Sequence, residues 1–487
     1  MLCIEHVVLN LIEYAKDELD LSLKDVDYKT NCLFDLLKVN VDIKNLDYKP
    51  EKLPLNKLLD DLVEVGVKSN LFELCDCEYY LDQVMGLLSM EPSMIQNKFD
   101  NLKKESKEAA TKWFYNYSVK NDYVKKAKLD QNPRFDSKGL VITINKAKPE
   151  FRDSKKAASG NSVKGGYPLC SICHQNEGFS GRNKKTLRTI DVELNNHKWF
   201  WQYSPYGYFK EHGILVNYNH IPMHVDSDTF ENLMAFVDEF PHYFIGCNAA
   251  LPRIGGSVLA HDHYQGGGEI LPIFKREAYK TFINKDFPNC LIEVVDWPGS
   301  VVRIVSNHKE DIINISTFIL NAWRTYENKE LNIIPFDEEG LHSAVSPTLV
   351  KTSRGYEMSI IFRNNCVSEE YPDGIFHAHP EYHTIKKESI GLFEEQGLFI
   401  LPGRLENELG TIKQLIHNNQ KLTEELIDYQ EIYKNLVAKC NNDYSLHNID
   451  LAIKDLLGEI CNNILDNTAV FKDKNDLIKF LEENDII

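Results

Sequence analysis

The sequence has no long hydrophobic run and no excess of positive charge. No apolar stretch approaches the roughly 18–20 residues that a membrane span requires, and 55 Lys and Arg against 73 Asp and Glu give a net charge of −18. General nucleic-acid binding or attachment to an anionic membrane would require a basic face. We therefore predict a protein that binds neither, although a local basic pocket for a small phosphate ligand stays open.

A disulfide framework and a secretory leader are also missing. The 11 cysteines form an odd, scattered set in a chain of 487 residues, unlike the dense pattern of a small secreted domain. The segment Met1 to Asp20 is amphipathic and acidic, without the basic start and cleavage pattern of a signal peptide. These features predict a cytoplasmic protein, long enough for two or three domain-sized units.

Helical periodicity marks the two ends of the chain, and strand patterns mark its middle. Apolar residues recur at helical spacing before residue 135 and after residue 405. Residues 103–123 read as one long amphipathic helix. Its aromatic stripe is either core, which we favour, or a substrate shelf; the stripe consists of Trp113, Phe114 and Tyr117.

A strand, helix, strand pattern occurs twice in the middle of the chain. The first unit has a strand at 213–217, a helix that starts with Asp228 and Glu231 as a capping box, and a strand at 243–247. The second has a strand at 301–305, a helix at 312–326 and a strand at 357–362. This repeated order of strand, helix and strand favours two related halves. We predict an α+β fold in four regions: helical 1–135, a first half 136–300, a second half 301–404, and helical 405–487.

A histidine motif framed by glycines carries the strongest chemical signal. Residues 255–268 read Gly-Gly-Ser-Val-Leu-Ala-His-Asp-His-Tyr-Gln-Gly-Gly-Gly. If this segment is extended, His261, His263 and Gln265 point to one face. Glycine lets a ligand approach closely and leaves backbone N–H groups free for a phosphate. The pattern predicts a site where a histidine meets phosphorus; a pair of structural histidines is the alternative.

Two further segments contain potential metal ligands. Cys170 and Cys173 follow a proline turn with the spacing of half a zinc site. A thioredoxin-like redox pair is the alternative, but the flanks lack its strand-to-helix pattern. Residues 376–383, Phe-His-Ala-His-Pro-Glu-Tyr-His, are either a second metal site or a surface cluster. Residues 146–166 read as a solvated connector or as a flap over substrate.

Three phrases together resemble the galactose-1-phosphate uridylyltransferase family, and its second, bacterial type in particular. They lie at 255–267, at 376–388 and at 401–405, the last reading Leu-Pro-Gly-Arg-Leu. The resemblance implies two histidine-triad-like halves with antiparallel sheets, and a homodimer. It also implies that UDP-glucose and galactose 1-phosphate are exchanged by a ping-pong reaction, giving glucose 1-phosphate and UDP-galactose in the Leloir pathway.

The resemblance also implies the roles of individual residues. By position, His263 is the nucleophile and Gln265 holds the phosphate, while Asp262 stands where the first type of the family has proline. The zinc ligands of the family correspond to Cys170, Cys173, His220 and His261. His224 competes with His220 for the third position. A second metal position resembles His377 and His379, with Glu269 or Glu277 as its carboxylate.

The chemistry of the motif agrees with these roles. A neutral imidazole is a good nucleophile toward phosphorus and a good leaving group afterwards. An amide such as that of Gln265 donates hydrogen bonds but is not an acid or base near neutral pH, which favours transfer over hydrolysis. Four protein ligands leave zinc no open position, so the metal is expected to be structural.

Substrate contacts are expected in the same stretch of chain as the nucleophile. The predicted contacts are Asn248, Arg253, Gly255, Gly256 and Ser257, and weaker candidates for phosphate binding are Arg188, Arg303 and Lys351. Two other functions remain open at this point. One is a related nucleotidyltransferase or phosphorylase with different nucleotide substrates, and the other is a non-catalytic zinc-stabilised module that binds nucleotides.

Overall fold

A ten-stranded antiparallel sheet is the centre of the fold. The computed structural model describes residues 2–147, 166–255, 258–338 and 340–487. Helical segments precede and follow the sheet, so the predicted α+β class is confirmed. Within these described ranges, no helix is both long enough and apolar enough to cross a bilayer.

The N-terminal region is helical because apolar residues at helical spacing bury one face of each helix. Its helices are α1 (Ile4–Glu18), α2 (Val26–Leu36), α3 (Leu55–Lys68), α4 (Cys77–Leu88), α5 (Pro92–Glu105), α6 (Lys107–Lys120) and α7 (Lys126–Leu129). The single helix predicted over 103–123 is wrong, because Ser106 is extended and caps α6 by accepting from the Ala109 N–H. The aromatic stripe of α6 is core: Phe114 and Tyr117 are buried, and the Tyr117 hydroxyl accepts from the Met90 N–H.

The strands fall into one large sheet and two small ones. In chain order they are β1 (Arg134–Ser137), β2 (Leu140–Asn145), β3 (Ile190–Leu194), β4 (His197–Tyr203), β5 (Gly213–Asn217), β6 (Phe244–Gly246), β7 (His263–Gly267), β8 (Ala278–Phe282), β9 (Leu291–Val295), β10 (Val301–Ser306), β11 (Phe336–Asp337), β12 (Gly340–Leu341), β13 (Ser343–Thr352), β14 (Gly355–Asn364) and β15 (Leu398–Pro402). The large sheet has the order β3-β4-β5-β7-β6-β13-β14-β10-β9-β8.

The large sheet consists of two five-strand groups with the same topology. From its outer edge inward, each group has the order first, second, third, fifth, fourth: β3-β4-β5-β7-β6 in one and β8-β9-β10-β14-β13 in the other. A helix links the third and fourth strands of each group, α8 (Ser227–Glu239) and α9 (Lys309–Trp323). The groups join where β6 pairs with β13, Gly246 opposite Thr348. The divisions at 135, 300 and 404 stay predictions; β8 and β9 lie in the second group although they precede residue 300.

The two faces of the large sheet have different neighbours. Helices α8 and α9 cover one face, in a core that includes Leu215, Tyr264 and Met358. On the other face, Phe244 packs against the short helix α10 (Leu392–Glu395) and β15. Because side chains alternate along a strand, residues next to Tyr264 in sequence point to this second face.

A small sheet and helices complete the C-terminal part. Strand β2 pairs with β1 antiparallel and with β15 parallel, so residues 398–402 return to the start of the first half. Next come α11 (Arg404–His417), α12 (Gln430–Lys439), α13 (Leu446–Thr468) and α14 (Lys474–Glu483). The first three bury their apolar faces in one core with the small sheet, as the helical periodicity after residue 405 predicts.

Candidate active site and metal centre

Strand β7 places two of the three motif residues on one face of the sheet. It begins at His263, which lies opposite Val216, while Gln265 lies opposite Gly246. Tyr264 between them is fully buried on the helix-covered face and stacks on Trp199, with ring centroids 5.0 Å apart. His263 and Gln265 therefore share the other face, as predicted. The expectation that His261 continues this strand is wrong, because His261 precedes the strand in a bend.

The imidazole of His263 is held in one orientation. Its Nδ1 lies 2.8 Å from the backbone oxygen of His261, and only an N–H at Nδ1 can donate to a carbonyl. Nε2 then carries the lone pair. Burial lowers the pKa of His263 to about 4, so the ring is neutral near pH 7. The site thus presents a neutral imidazole nitrogen in the tautomer that a nucleophile requires.

Gln265 is oriented by a residue that the sequence did not point to. Its Oε1 lies 3.2 Å from Nε2 of His212. His212 is buried and lies directly before β5. A single histidine between Glu211 and Gly213 gives no local signal, and only the pairing of β5 with β7 brings the two side chains together.

Four predicted metal ligands come together at the entrance to β7. The Sγ atoms of Cys170 and Cys173 are 3.2 Å apart, and Nδ1 of His261 lies 3.3 Å from the first and 3.6 Å from the second. Nδ1 of His220 lies 3.1 Å from the Cys173 Sγ. All four ligand atoms are within 4.8 Å of one another.

The spacing and the donor set fit zinc. A tetrahedral zinc with bonds of about 2.0–2.3 Å separates its ligand atoms by roughly 3.3–3.8 Å. Two thiolates and two imidazoles are a common structural set for that ion. The hydrogen bond from the Cys170 thiol, aided by His261 and His220, lowers the pKa of Cys173, while the same hydrogen bond and burial raise the pKa of Cys170. One thiolate is therefore already favoured in this cluster, and binding of a metal would stabilise the second.

Hydrogen bonds around the cluster fix its ligands. Nε2 of His261 donates to the Asn217 carbonyl at 2.8 Å, which leaves Nδ1 free to face the metal. The amide of Asn176 donates to the carbonyls of Cys170 and Cys173 and so closes their loop. His261 thus serves the site twice, since its side chain belongs to the metal cluster and its carbonyl orients His263.

Of His220 and His224, geometry brings only His220 into the cluster. His220 lies in the cluster, whereas Nδ1 of His224 is 3.4 Å from the Pro222 carbonyl and its side chain is partly exposed beside Asp226. His220 is therefore the candidate ligand.

The second predicted metal position gains no support from the structure. Both ring nitrogens of His379 form hydrogen bonds, with the Ile375 carbonyl and the Asn467 amide. His377 is buried, and its Nδ1 faces the Ala378 carbonyl. Among described residues, the metal-capable group that is found contains neither histidine and neither of the carboxylates Glu269 and Glu277.

Three of the predicted substrate contacts can be placed. Asn248 is buried after β6, and its Oδ1 accepts from the Leu392 N–H at 2.9 Å. Arg253 donates through Nε and Nη2 to the Asn365 carbonyl, so its guanidinium ties the loop to the second half. At Gly255 a Cβ would lie 2.0 Å from the Ala249 oxygen, so only glycine fits.

The other predictions divide into two groups. Gly256, Ser257 and residues 148–165, which include nearly all of the predicted connector or flap, lie outside the described residues. The weaker phosphate candidates are engaged elsewhere. Arg188 donates to backbone carbonyls including that of Met90, Arg303 pairs with Glu293, and Lys351 contacts Tyr356.

Comparison with known proteins identifies a consistent set of relatives. Two family models match, galactose-1-phosphate uridyl transferase N-terminal domain over residues 67–222 and C-terminal domain over residues 235–430. Proteins named galactose-1-phosphate uridylyltransferase from Bifidobacterium longum, Clostridium acetobutylicum and Staphylococcus saprophyticus are 47%, 36% and 34% identical to this chain. The alignments cover 97%, 96% and 97% of this chain and 96%, 97% and 97% of those proteins. No solved structure is a significant match.

Proposed function

The chain belongs to the galactose-1-phosphate uridylyltransferase family, and from that premise we propose that it exchanges UMP between UDP-glucose and galactose 1-phosphate through a uridylylated His263. The observation that carries the mechanism is the hydrogen bond from His263 Nδ1 to the His261 carbonyl. It leaves Nε2 as the nucleophilic nitrogen, on the same face as the Gln265 amide.

The first half-reaction forms a bond between His263 Nε2 and the α-phosphorus of UDP-glucose. The bond from that phosphorus to the bridging oxygen breaks, and glucose 1-phosphate leaves with the electron pair. The leaving phosphate is a weak base, so no strong general acid is needed. Nδ1 keeps its proton and donates to the His261 carbonyl as the ring becomes positively charged. That bond strengthens when charge develops, which stabilises the intermediate.

The second half-reaction reverses the first with a different sugar phosphate. A phosphate oxygen of galactose 1-phosphate attacks the uridylyl phosphorus, and the bond to Nε2 breaks. Gln265 donates an amide N–H to a phosphate oxygen in both steps but cannot accept a proton from an attacking water molecule. UDP-galactose is therefore released in preference to UMP.

The Cys170, Cys173, His220 and His261 cluster is proposed as a structural zinc site. Bound there, the ion would tie the 170–173 loop to the residue whose carbonyl orients the nucleophile. Asn248, Arg253, Gly255, Gly256 and Ser257 remain proposed substrate contacts. A histidine-triad-like fold, a homodimer and a cytoplasmic location are proposed on the family resemblance.

Intact-mass spectrometry after addition of UDP-glucose alone tests this proposal. We expect a gain of about 306 Da, one UMP less water, which galactose 1-phosphate then discharges as UDP-galactose. His263→Ala should show no gain. His224→Ala, a histidine outside both the metal cluster and the catalytic face, is the matched control and should behave like the parent.

Absence of the adduct on folded, metal-loaded parent protein would overturn the mechanism. ATP and dinucleoside polyphosphates would then be tried as donors, for a related nucleotidyltransferase or phosphorylase. Nucleotide binding without any exchange would instead indicate a binding module.

A further inference from the structure

His212 is a buried histidine for which the mechanism above has no role. It is 2% exposed and lies among aromatic rings. Tyr208 stacks on it with centroids 4.9 Å apart and planes at 22°, while Phe209 and Phe393 lie 4.6 and 5.2 Å away. This packing leaves the ring one orientation, with Nε2 directed at Gln265.

The protonation state of His212 decides which end of the Gln265 amide faces the substrate. Burial lowers the pKa of His212 to about 3, so the ring is neutral and carries one N–H. Among the described residues, Nδ1 is buried and has no hydrogen-bond partner. A buried donor without an acceptor is rarer and more costly than a buried acceptor without a donor. The N–H therefore belongs on Nε2, where Gln265 Oε1 can accept it.

From this geometry, and resting on the proposed function, we propose that His212 is a positioning residue that turns the Gln265 amide nitrogen toward the transferred phosphate. With Oε1 accepting from His212, the NH2 group is left to donate to a non-bridging phosphate oxygen. Without His212, the amide is free to rotate and to present its oxygen, which repels the phosphate. His212 is buried, so we expect its effect to pass through Gln265 rather than through a direct contact with substrate.

The role of His212 also depends on the second half of the molecule. Phe393 belongs to α10, and the N–H of Leu392 in the same helix donates to Asn248 Oδ1. The short helix therefore contacts two segments of the first half that approach the catalytic face.

A double-mutant cycle with Gln265→Ala tests the inference. His212→Phe keeps the aromatic packing and removes the N–H. We expect the rate of His263 uridylylation to fall about 10–100-fold in the parent, less than the roughly 10²–10³-fold for direct loss of an oriented donor because His212 acts through Gln265, and less than about 2-fold in the Gln265→Ala background. His212→Gln, which places an amide N–H near the position of Nε2, should restore the rate to within about 3-fold of the parent.

His242→Phe is the matched control for replacing a histidine among aromatic rings. His242 lies 4.4 Å from the Tyr243 ring and contacts the Thr111 hydroxyl, away from Gln265. Its rate should stay within about 2-fold of the parent, since no step is assigned to it. If His212→Phe slows the Gln265→Ala protein as much as it slows the parent, the two residues act independently and the inference is wrong.

A second measurement reads the ring in the unmodified protein and uses a variant only to assign its signal. The 15N shifts of the His212 ring in the unmodified protein, assigned with His212→Gln, report which nitrogen carries the proton. A proton on Nε2 supports the inference, and a proton on Nδ1 overturns it. This result is independent of the proposed function, whose own failure would show as a parent protein that forms no uridylyl adduct.

Discussion

The two five-strand groups of the large sheet share a topology but use the same position for opposite purposes. When β5 and β10 are aligned on their last residues, Asn217 and Ser306, their pairing partners correspond as well. Glu357 on β14 then takes the place of His263, and Ser359 takes the place of Gln265. Met358 and Tyr264 both point to the helix-covered core. The same face of the sheet thus carries His263 and Gln265, the proposed catalytic pair, in the first group and a charged cluster in the second.

The charged cluster of the second five-strand group is an ion-pair network. Nε of Arg303 lies 2.7 Å from Glu293 Oε2 and 3.5 Å from Glu357 Oε2. These three side chains are at most 7% exposed. The partly exposed Arg354 bonds Glu293 as well, so two positive and two negative charges balance.

Under the proposed function, two groups of the same topology carry reactivity in one and stability in the other. Buried charges that satisfy one another have little left to offer a substrate. His263 instead forms its hydrogen bond through Nδ1 and keeps Nε2 for chemistry. Gln265 uses Oε1 for His212 and keeps its amide nitrogen. In the proposed catalytic pair, His263 and Gln265 each use one polar atom for a hydrogen bond within the protein and keep the other for the substrate.

Removing the proposed nucleophile should give the largest effect. His263→Ala eliminates Nε2, and we expect exchange between UDP-glucose and galactose 1-phosphate to fall by at least about 10⁴-fold, as for loss of other covalent nucleophiles. The midpoint of thermal unfolding should change little, because the ring forms a single hydrogen bond. Steady-state exchange and calorimetry on the same preparation check both expectations. Residual exchange above 1% of the parent would contradict the assignment.

Breaking the ion-pair network should lower stability and leave activity nearly unchanged. Arg303→Met leaves Glu293 and Glu357 buried with less compensation, and we expect the free energy of unfolding to fall by about 3–5 kcal/mol. Activity per folded molecule should stay within about 3-fold of the parent, because no catalytic contact is removed. Urea denaturation and exchange assays measure the two quantities.

The exposed partner in the same network provides a control. Arg354 has a side chain that is 42% exposed, so Arg354→Ala should cost no more than about 1 kcal/mol. Equal losses for Arg303→Met and Arg354→Ala would mean that burial does not determine the strength of this network.

Local sequence patterns predicted the features that depend on neighbouring residues. Alternation along a strand placed His263 and Gln265 on one face, and the Cys-x2-Cys spacing indicated half of the metal cluster. The predicted capping box was wrong: the helix expected to start with Asp228 and Glu231 is capped by Asp226 with Thr229. Asp226 and Thr229 have the same kind of side-chain oxygens two residues earlier, and sequence alone does not rank the two pairs.

Features that depend on distant contacts were not predictable in this way. His220 and His224 both follow β5, and only the position of the 170–173 loop selects His220. His261 lies in a bend before the strand, where its ring contacts Cys170 and Cys173 of the same loop. His212 reaches Gln265 through the pairing of Gly213 with Gly266, some 50 residues later. The join of the two halves through β6 and β13 is similarly non-local.

Loss of the proposed zinc ion should lower the exchange activity indirectly. Cys173→Ser removes the ligand that contacts both His220 and His261. We expect bound zinc to fall from about one ion per chain to near zero and activity to fall about 10–100-fold, since His261 would orient His263 less well. Elemental analysis and exchange assays measure these values. Full activity in metal-free protein would show that the cluster does not support the nucleophile.

A small effect, confined to stability, is expected at the residue that takes the place of the proposed nucleophile in the second five-strand group. Glu357→Gln keeps the shape of the side chain but removes its charge, while Arg303 keeps Glu293 at 2.7 Å. We expect a loss of about 1–2 kcal/mol in the free energy of unfolding, the size of a weakened charged hydrogen bond, with unchanged exchange activity. Together with His263→Ala, this substitution tests the comparison at matched positions. If Glu357→Gln instead lowered activity and left stability intact, the second half would take part in catalysis, and the division of roles between the halves would be wrong.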